Sequence, residues 1–208
     1  MVFKVTVVVF SRTARLVTLA NVVAEGARAV EGAEARACSE CETRSEGRKT
    51  RRTARWRHRK TYSSDCVIVG APTRHGRIAS EMSAFFDRLA LFHANGCALK
   101  GKIGSVFTEV GSAGQGYGGH EIALLSVHSF FLQHGMISVG VPPLPVLESA
   151  PHATVLGTTI SAGVVRTVNA GLSRIRELNE EEVKLAYAQG EWASVIAKQL
   201  HDDGEVEV

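Results

Sequence analysis

Val5-Thr6-Val7-Val8-Val9-Phe10, then Ser11-Arg12-Thr13-Ala14-Arg15, then Leu16, Leu19, Val23, Ala27 and Val30, is the stretch that decides the fold. The first six residues are a nearly continuous β-branched run, the pattern of a parallel strand covered on both faces. After the polar turn the apolar residues recur every three or four positions, so they line one face of a helix. Gly32 stands where a C-terminal cap belongs. Strand, short turn and helix form the opening unit of a βαβ fold.

The same alternation continues along the chain. Residues 33 to 38 read as a weak second strand and Cys66-Val67-Ile68-Val69-Gly70 as a third. The turn from Ala71 to Ala79 leads into a helix with Met82, Phe85, Phe86 and Leu89 on one face. Lys102 to Phe107 predicts a fourth strand, residues 121 to 134 a helix capped by Gly135, and Ile137 to Val141 a fifth strand. Pro142, Pro143, Pro145 and Pro151 open an irregular stretch that reaches about residue 178. A last helix opens at Asn179, whose pairing with Glu182 three residues on is the pattern of a capping box. Residues 180 to 182 are acidic, as the helix dipole favours. Five parallel strands with covering helices predict a doubly wound α/β sandwich, one domain over residues 1–208 with a loose tail at 202–208.

Of the 208 residues, 45% are hydrophobic and 22% charged, which excludes wholesale disorder. The best apolar run, Val5 to Phe10, falls far short of the ~18 residues of a membrane span and is too short for a secretory leader. No membrane span and a cytoplasmic location are therefore expected. Residues 36 to 60 hold ten Lys/Arg against three Glu, while the rest of the chain is mildly acidic. Residues 39–61 nearly lack apolar side chains and read as a basic, mobile insertion. Cys38 and Cys41 form a CxxC without a second pair, and His58 is the only nearby histidine. A zinc site needs about four ligands, so no metal is expected.

In a doubly wound sheet the ligand sits beyond the carboxyl ends of the strands. That singles out three loops. Ser11 to Arg15 joins the first strand to a helix start, where exposed amides attract phosphate, with two hydroxyls and two guanidinium groups beside them; it also fits an ordinary polar turn. Ala71-Pro72-Thr73-Arg74-His75-Gly76 combines a fixed and a free backbone position and can face a planar ligand or simply turn. Gly111-Ser112-Ala113-Gly114-Gln115-Gly116-Tyr117-Gly118-Gly119 has five glycines in nine residues, a ligand cradle or a flexible connector. His134, before Gly135, ends a helix, where the dipole favours it with or without a site role.

These segments, in order, are similar to one family. VTVVVFSRTARLVTLANVVAEGARAVEGAE, DCVIVGAPTRHG, the run from SEMSAFFDRL to GKIGSVF, QHGM and LNEEEVKLAYAQGEWAS together resemble the WrbA-type NAD(P)H:quinone oxidoreductases. The resemblance implies a flavodoxin-like three-layer sandwich with a five-stranded parallel sheet. It also implies bound FMN, two-electron reduction of a quinone by NAD(P)H, and a homodimer or homotetramer. By position, Ser11, Arg12, Thr13, Ala14, Arg15 and Leu16 would hold the FMN phosphate. Pro72, Thr73, Arg74, His75 and Gly76 would lie along the isoalloxazine. Glu109, Val110, Gly111, Ser112, Ala113 and Gly114 would wrap its far side. His134 matches the family's active-site histidine, and Phe92 or His93 falls near its quinone pocket.

The chain departs from the family at Ala14, a glycine there, at His75, an aromatic there, and at Glu109-Val110, a Ser-Thr there. If position 14 needs a positive φ, alanine costs about 1 kcal/mol. Those departures favour an alternative, a flavodoxin-like binding protein with weak or no FMN. A third reading, nucleic-acid contact through residues 44 to 60, has no helix-turn-helix or RNA-binding signature behind it, and nucleic acid is not expected as a partner.

Overall fold

The computed structural model describes residues 2–11, 14–41, 63–93, 96–111, 118–143, 154–161, 164–166, 173–175 and 177–202. Four helices and nine strands lie among them. β1 (Phe3–Ser11) is followed by α1 (Ala14–Arg28) and β2 (Ala33–Cys41). β3 (Cys66–Arg74), β4 (Arg77–Ile78), α2 (Ser80–His93), β5 (Ile103–Val110) and α3 (His120–Gln133) come next. β6 (Ile137–Ser138), β7 (Thr159–Ser161), β8 (Val164–Arg166), β9 (Ser173–Ile175) and α4 (Glu180–Asp202) complete the order.

The sheet runs β2-β1-β3-β5-β6, and β7 also pairs with β5. These pairings are all parallel, and only the short β4 returns antiparallel against β3. This is the flavodoxin-like arrangement, and its order reverses between β1 and β3. Alternate residues of β1 explain the continuous apolar run: Val5, Val7 and Val9 face α1 and α4, while Val8 and Phe10 face the side of α2 and α3. Both faces are buried, so the sandwich has three layers.

Several boundaries differ from the sequence expectation. β2 continues through Cys41, three residues beyond its expected end and into the start of the expected 39–61 insertion; residues 42–62 lie outside the described residues. β2 bonds to β1 along its whole length, and Ala33, Ala35 and Ala37 pack on the core. Small apolar residues suffice for an edge strand, and they are weak sequence signals. β5 extends to Val110 because Thr108 and Glu109 keep the parallel register with Ala71 and Pro72. The fifth strand is divided. β6 pairs with Ile103 and Gly104, β7 pairs with Thr108 to Val110, and Val141 turns away to donate its N–H to the Val155 carbonyl. α4 runs to Asp202, so the expected tail begins after it, and residues 203–208 lie outside the described residues.

The α4 motif explains itself in packing terms. A Cβ on Gly190 would stand 1.9 Å from the Val23 carbonyl oxygen, so glycine is what lets α4 lie against α1. Gln189 beside it is fully buried and crosses to the sheet. Its Oε1 accepts from the Thr158 N–H at 2.9 Å, and its Nε2 donates to Ser105 Oγ at 2.8 Å and to the Val106 carbonyl at 2.7 Å. Asn179 and Glu182 make the expected capping box, Glu182 N–H to Asn179 Oδ1 at 2.7 Å and Asn179 N–H to Glu182 Oε2 at 2.9 Å.

Candidate functional site

The β1, β3 and β5 carboxyl ends bring Ser11, Thr73 and Val110 to one edge of the sheet, at the switch in strand order. The first loop starts α1 there. Arg12 and Thr13 lie outside the described residues. Ala14 is the first residue of α1, a helical position that alanine adopts without left-handed strain. Ser11 and Leu16 are buried. Arg15 is buried too, and its Nη2 reaches Glu182 at 2.9 and 2.7 Å. Its Nε and Nη1 have no hydrogen-bond partner among the described residues. Buried guanidinium donors at a helix start, where the N–H groups of the first turn also lack helical acceptors, are the chemistry a phosphate satisfies. The residues present therefore fit the phosphate of FMN.

The second loop is a tight hairpin. Thr73 pairs with Ile78 and Arg74 with Arg77, leaving His75 (φ 51°) and Gly76 (φ 73°) as the two central residues. Positive φ at both positions is the type I′ turn. Arg74 is fixed at its base. Its Nη1 donates to both Glu81 oxygens, at 3.2 and 3.1 Å, and its guanidinium lies 5.7 Å from the centre of the Phe10 ring. Partial burial raises the Glu81 carboxyl, but its own backbone N–H, the Arg74 charge and the Arg74 and Ser80 hydrogen bonds outweigh this, so it titrates below its ordinary range. Thr73 and Thr108 share a buried bond of 2.8 Å, and Thr108 Oγ1 donates to the Ala71 carbonyl at 2.8 Å. Thr108 has one hydroxyl hydrogen, so in that bond Thr73 is the donor. Thr73 Oγ1 then offers only acceptor capacity to a ligand.

The third loop begins with Glu109, buried at 4% exposure, and Val110. Ser112, Ala113 and Gly114 lie outside the described residues. A Cβ on Gly111 would meet no atom of the described residues within 4 Å. The loop returns at Gly119, which touches Gly76. The second and third loops thus close on each other.

His134 lies elsewhere. It caps the C-terminus of α3, is 7% exposed, stacks on Phe130 at 4.1 Å and directs Nδ1 to the Phe130 carbonyl at 2.9 Å. The carbonyl acceptor puts the proton on Nδ1. The neighbouring Gly135 carbonyl accepts from Gly101 N–H, just before β5 begins. His134 therefore sits at the amino edge of the sheet, the length of β5 from Val110. Phe92 and His93 end α2, which runs back from the same carboxyl edge as α3; their side chains lie outside the described residues. The sequence missed Glu182, Glu81 and Thr108 as partners of site residues. For Thr108 and Glu81 the signal was register and helix start; for Glu182, a sequence separation of 167 left none.

The comparisons agree with this architecture. The family model for NADPH-dependent FMN reductase matches residues 12–146. A protein of Chromohalobacter salexigens named NAD(P)H dehydrogenase (quinone) is 35% identical over 207 aligned positions, covering 95% of this chain and 98% of that one. A protein of the same name from Trichlorobacter lovleyi is 32% identical over 213, with the same coverage. A WrbA-like flavodoxin structure from Agrobacterium tumefaciens superposes with a TM-score of 0.61 at 18% identity, covering 95% of this chain and 98% of that one. With the family model spanning β1's turn through the prolines after β6, and relatives matched from end to end, this chain belongs to the NADPH-dependent FMN reductase family.

Proposed function

We propose that the protein is an FMN-dependent NAD(P)H:quinone oxidoreductase. The observation that carries this is the end-to-end match to relatives named NAD(P)H dehydrogenase (quinone). Bound FMN supplies the two-electron redox chemistry between NAD(P)H and quinone, and the protein supplies binding and orientation. Residues Ser11 to Leu16 hold the phosphate. Pro72 to Gly76 and Glu109 to Gly114 form the two walls for the ring. Thr73, with its hydrogen committed to Thr108, accepts from a ligand N–H. Residues 1–208 act as one flavodoxin-like domain, in the cytoplasm.

His134 and the Phe92–His93 end of α2 are assigned to the quinone, with His134 orienting it or donating a proton. In their own chain they stand more than about 20 Å from the carboxyl-edge loops, since β5 lies between at ~3.3 Å per residue. A quinone site that uses both groups requires a second copy of the chain. α3 supports such an assembly: Ile122, Leu125 and Leu132 are 63%, 50% and 65% exposed on a helix that is apolar on nearly all sides. A helix of that composition is normally covered. We therefore propose a homodimer or homotetramer as the working unit.

Titrating the apoprotein with FMN and following flavin fluorescence tests the cofactor, with saturation expected at micromolar FMN, about 8 kcal/mol of binding. Quinone-dependent oxidation of NADH or NADPH by the loaded protein tests the activity. A colourless protein that never saturates with FMN would turn the conclusion to a flavodoxin-like binding protein without turnover.

A further inference from the structure

His128 of α3 and Ser138 of β6 make a second chemical pair, near the amino end of β5, where Ser138 stands in register with Gly104. The imidazole lies between two oxygens. Its Nε2 is 2.6 Å from the Leu156 carbonyl, and its Nδ1 bonds to Ser138 Oγ. A carbonyl only accepts, so the ring proton is on Nε2 and the Nδ1 lone pair takes the Ser138 hydroxyl hydrogen. Burial lowers the pKa of His128, so the ring is neutral at pH 7. A serine that donates to a neutral imidazole, itself held in that tautomer by a third group, has the arrangement of an activated nucleophile.

The surroundings fix all three members. A Cβ on Gly140 would stand 1.8 Å from the Val155 carbonyl oxygen, and the Val141 N–H donates to that carbonyl at 2.9 Å, so the segment bearing Leu156 is tied to the chain just after β6. A Cβ on Gly104 would stand 2.5 Å from the Phe131 ring, and that ring meets His128 edge-on, with centroids 6.2 Å apart. The Ile137 and Val139 N–H groups donate to the Lys102 and Gly104 carbonyls. Successive residues of a strand alternate in direction, so the Ser138 N–H points away from β5. No further strand among the described residues flanks β6 on that side. The nucleophile's own N–H is one of the two oxyanion donors of a serine protease. Both Ser138 and His128 are partly exposed.

We propose that Ser138 is a reactive nucleophile with His128 as its base, and that it is acylated by small uncharged esters with a good leaving group. Ser138 Oγ attacks the ester carbonyl and its proton passes to His128 Nδ1. The Ser138 N–H faces the oxygen that gains charge. The bond from the acyl carbon to the leaving oxygen breaks, and Nδ1 returns the proton to that oxygen. Water then releases the acid by the same route, with no change of oxidation state. The leaving group must be good because Leu156 offers a carbonyl where a triad has a carboxylate, which orients the ring without balancing the charge of the imidazolium. The donor is uncharged because burial and the Leu156 bond alone account for the titration of His128, with no charged side chain beside it. This centre works without flavin.

The test uses the full chain with two probes, a fluorophosphonate followed by peptide mass spectrometry, and p-nitrophenyl acetate followed by nitrophenolate absorbance. The fluorophosphonate is expected on Ser138, and the acetate ester should release a burst of about one nitrophenolate per chain before slower turnover. S138A should lose both the label and the burst. H128Q, whose amide still donates to the Leu156 carbonyl, should label Ser138 about a hundredfold more slowly. A folded wild type with no label on Ser138 overturns the proposal. So does an H128Q protein that labels Ser138 at the wild-type rate, because the serine is then not activated by the imidazole. An S138A protein with an undiminished burst overturns it as well. Should either variant not fold, the wild type is labelled with and without urea. Faster labelling of Ser138 in the folded chain, by about a hundredfold, supports the pair, and equal rates in the two conditions overturn it.

Discussion

A Cβ built on Gly119 would lie 2.4 Å from the Cα of Gly76, so the β3–β4 hairpin tip and the start of α3 meet through two α-carbons without side chains. This contact joins the second and third loops of the site. Gly119 also has φ +83°, which a β-carbon disfavours by about 1 kcal/mol, and the overlap adds roughly 1 to 3 kcal/mol. G119A is expected to lower unfolding stability by about 2 to 4 kcal/mol and to weaken FMN binding, read by urea melts and flavin titration. A variant with wild-type stability and affinity would show that the two loops are not held by this contact.

His75 occupies a backbone position that suits asparagine or glycine better. At φ 51° beside Gly76 it fills the first central position of a type I′ turn. H75N is expected to raise stability by up to about 1 kcal/mol, a Tm increase of ~2–4 °C. H75V should lower it, and calorimetry on the pair decides the sign.

Ala14 is the first residue of α1, so the departure from the family glycine brings no left-handed strain to relieve. A14G should cost about 0.5–1 kcal/mol of stability and leave FMN affinity flat or lower. A clear gain in affinity would mean that the phosphate needs closer backbone approach than alanine permits.

Gln189 uses its whole amide to tie α4 to β5 and to the turn before β7. Q189L keeps the volume and strands the Thr158 N–H. The expected cost is about 2 to 4 kcal/mol, seen as a lower urea midpoint with unchanged slope.

The fold and the chemistry differ in how far the sequence reveals them. β1, α1 and β3 announce themselves because both faces of each strand are apolar and α1 repeats at helical spacing; the α4 cap is visible because Asn179 and Glu182 are three residues apart. β2 shows poorly because its core face is alanine. The end of β5 was hidden by Glu109, a carboxylate read as loop but buried at 4% exposure. The divided fifth strand has no local signature, since β7 has Ile160 as its sole aliphatic residue and takes its register from β5. The loops of the site follow from topology, whereas the pairing of Arg15 with Glu182 depends on two helix starts converging from opposite ends of the chain.

His128 is expected to make the protein sensitive to acid. Burial lowers its pKa below the ordinary value, partly offset by its bond to the Leu156 carbonyl. The ring bridges Ser138 through Nδ1 and the Leu156 carbonyl, 2.6 Å from Nε2, joining α3 to β6 and to the segment before β7. The unfolded chain takes up the proton first, near pH ~6.5, so the stability from neutral His128 is complete above that and is lost as pH falls through the folded pKa. Denaturant melts of wild type should weaken as pH falls below about 6.5, and H128Q should flatten that slope. An identical slope in both would assign the acid sensitivity to other groups.

The packing of α4 on α1 also sets an order on the making of this protein. The face of α1 that carries Leu16, Leu19, Val23 and Ala27 shares its core with Ala186, Ala193 and Ala197, and Gly190 rests on the Val23 carbonyl. Those partners belong to α4, and Glu182 at its start is made 167 residues after Arg15. Every earlier length of nascent chain carries an uncovered apolar helix face and an arginine whose carboxylate has not yet been translated. A chain ended before Glu180 would keep that surface permanently, so premature termination ahead of α4 yields a sticky product rather than a slightly shortened enzyme.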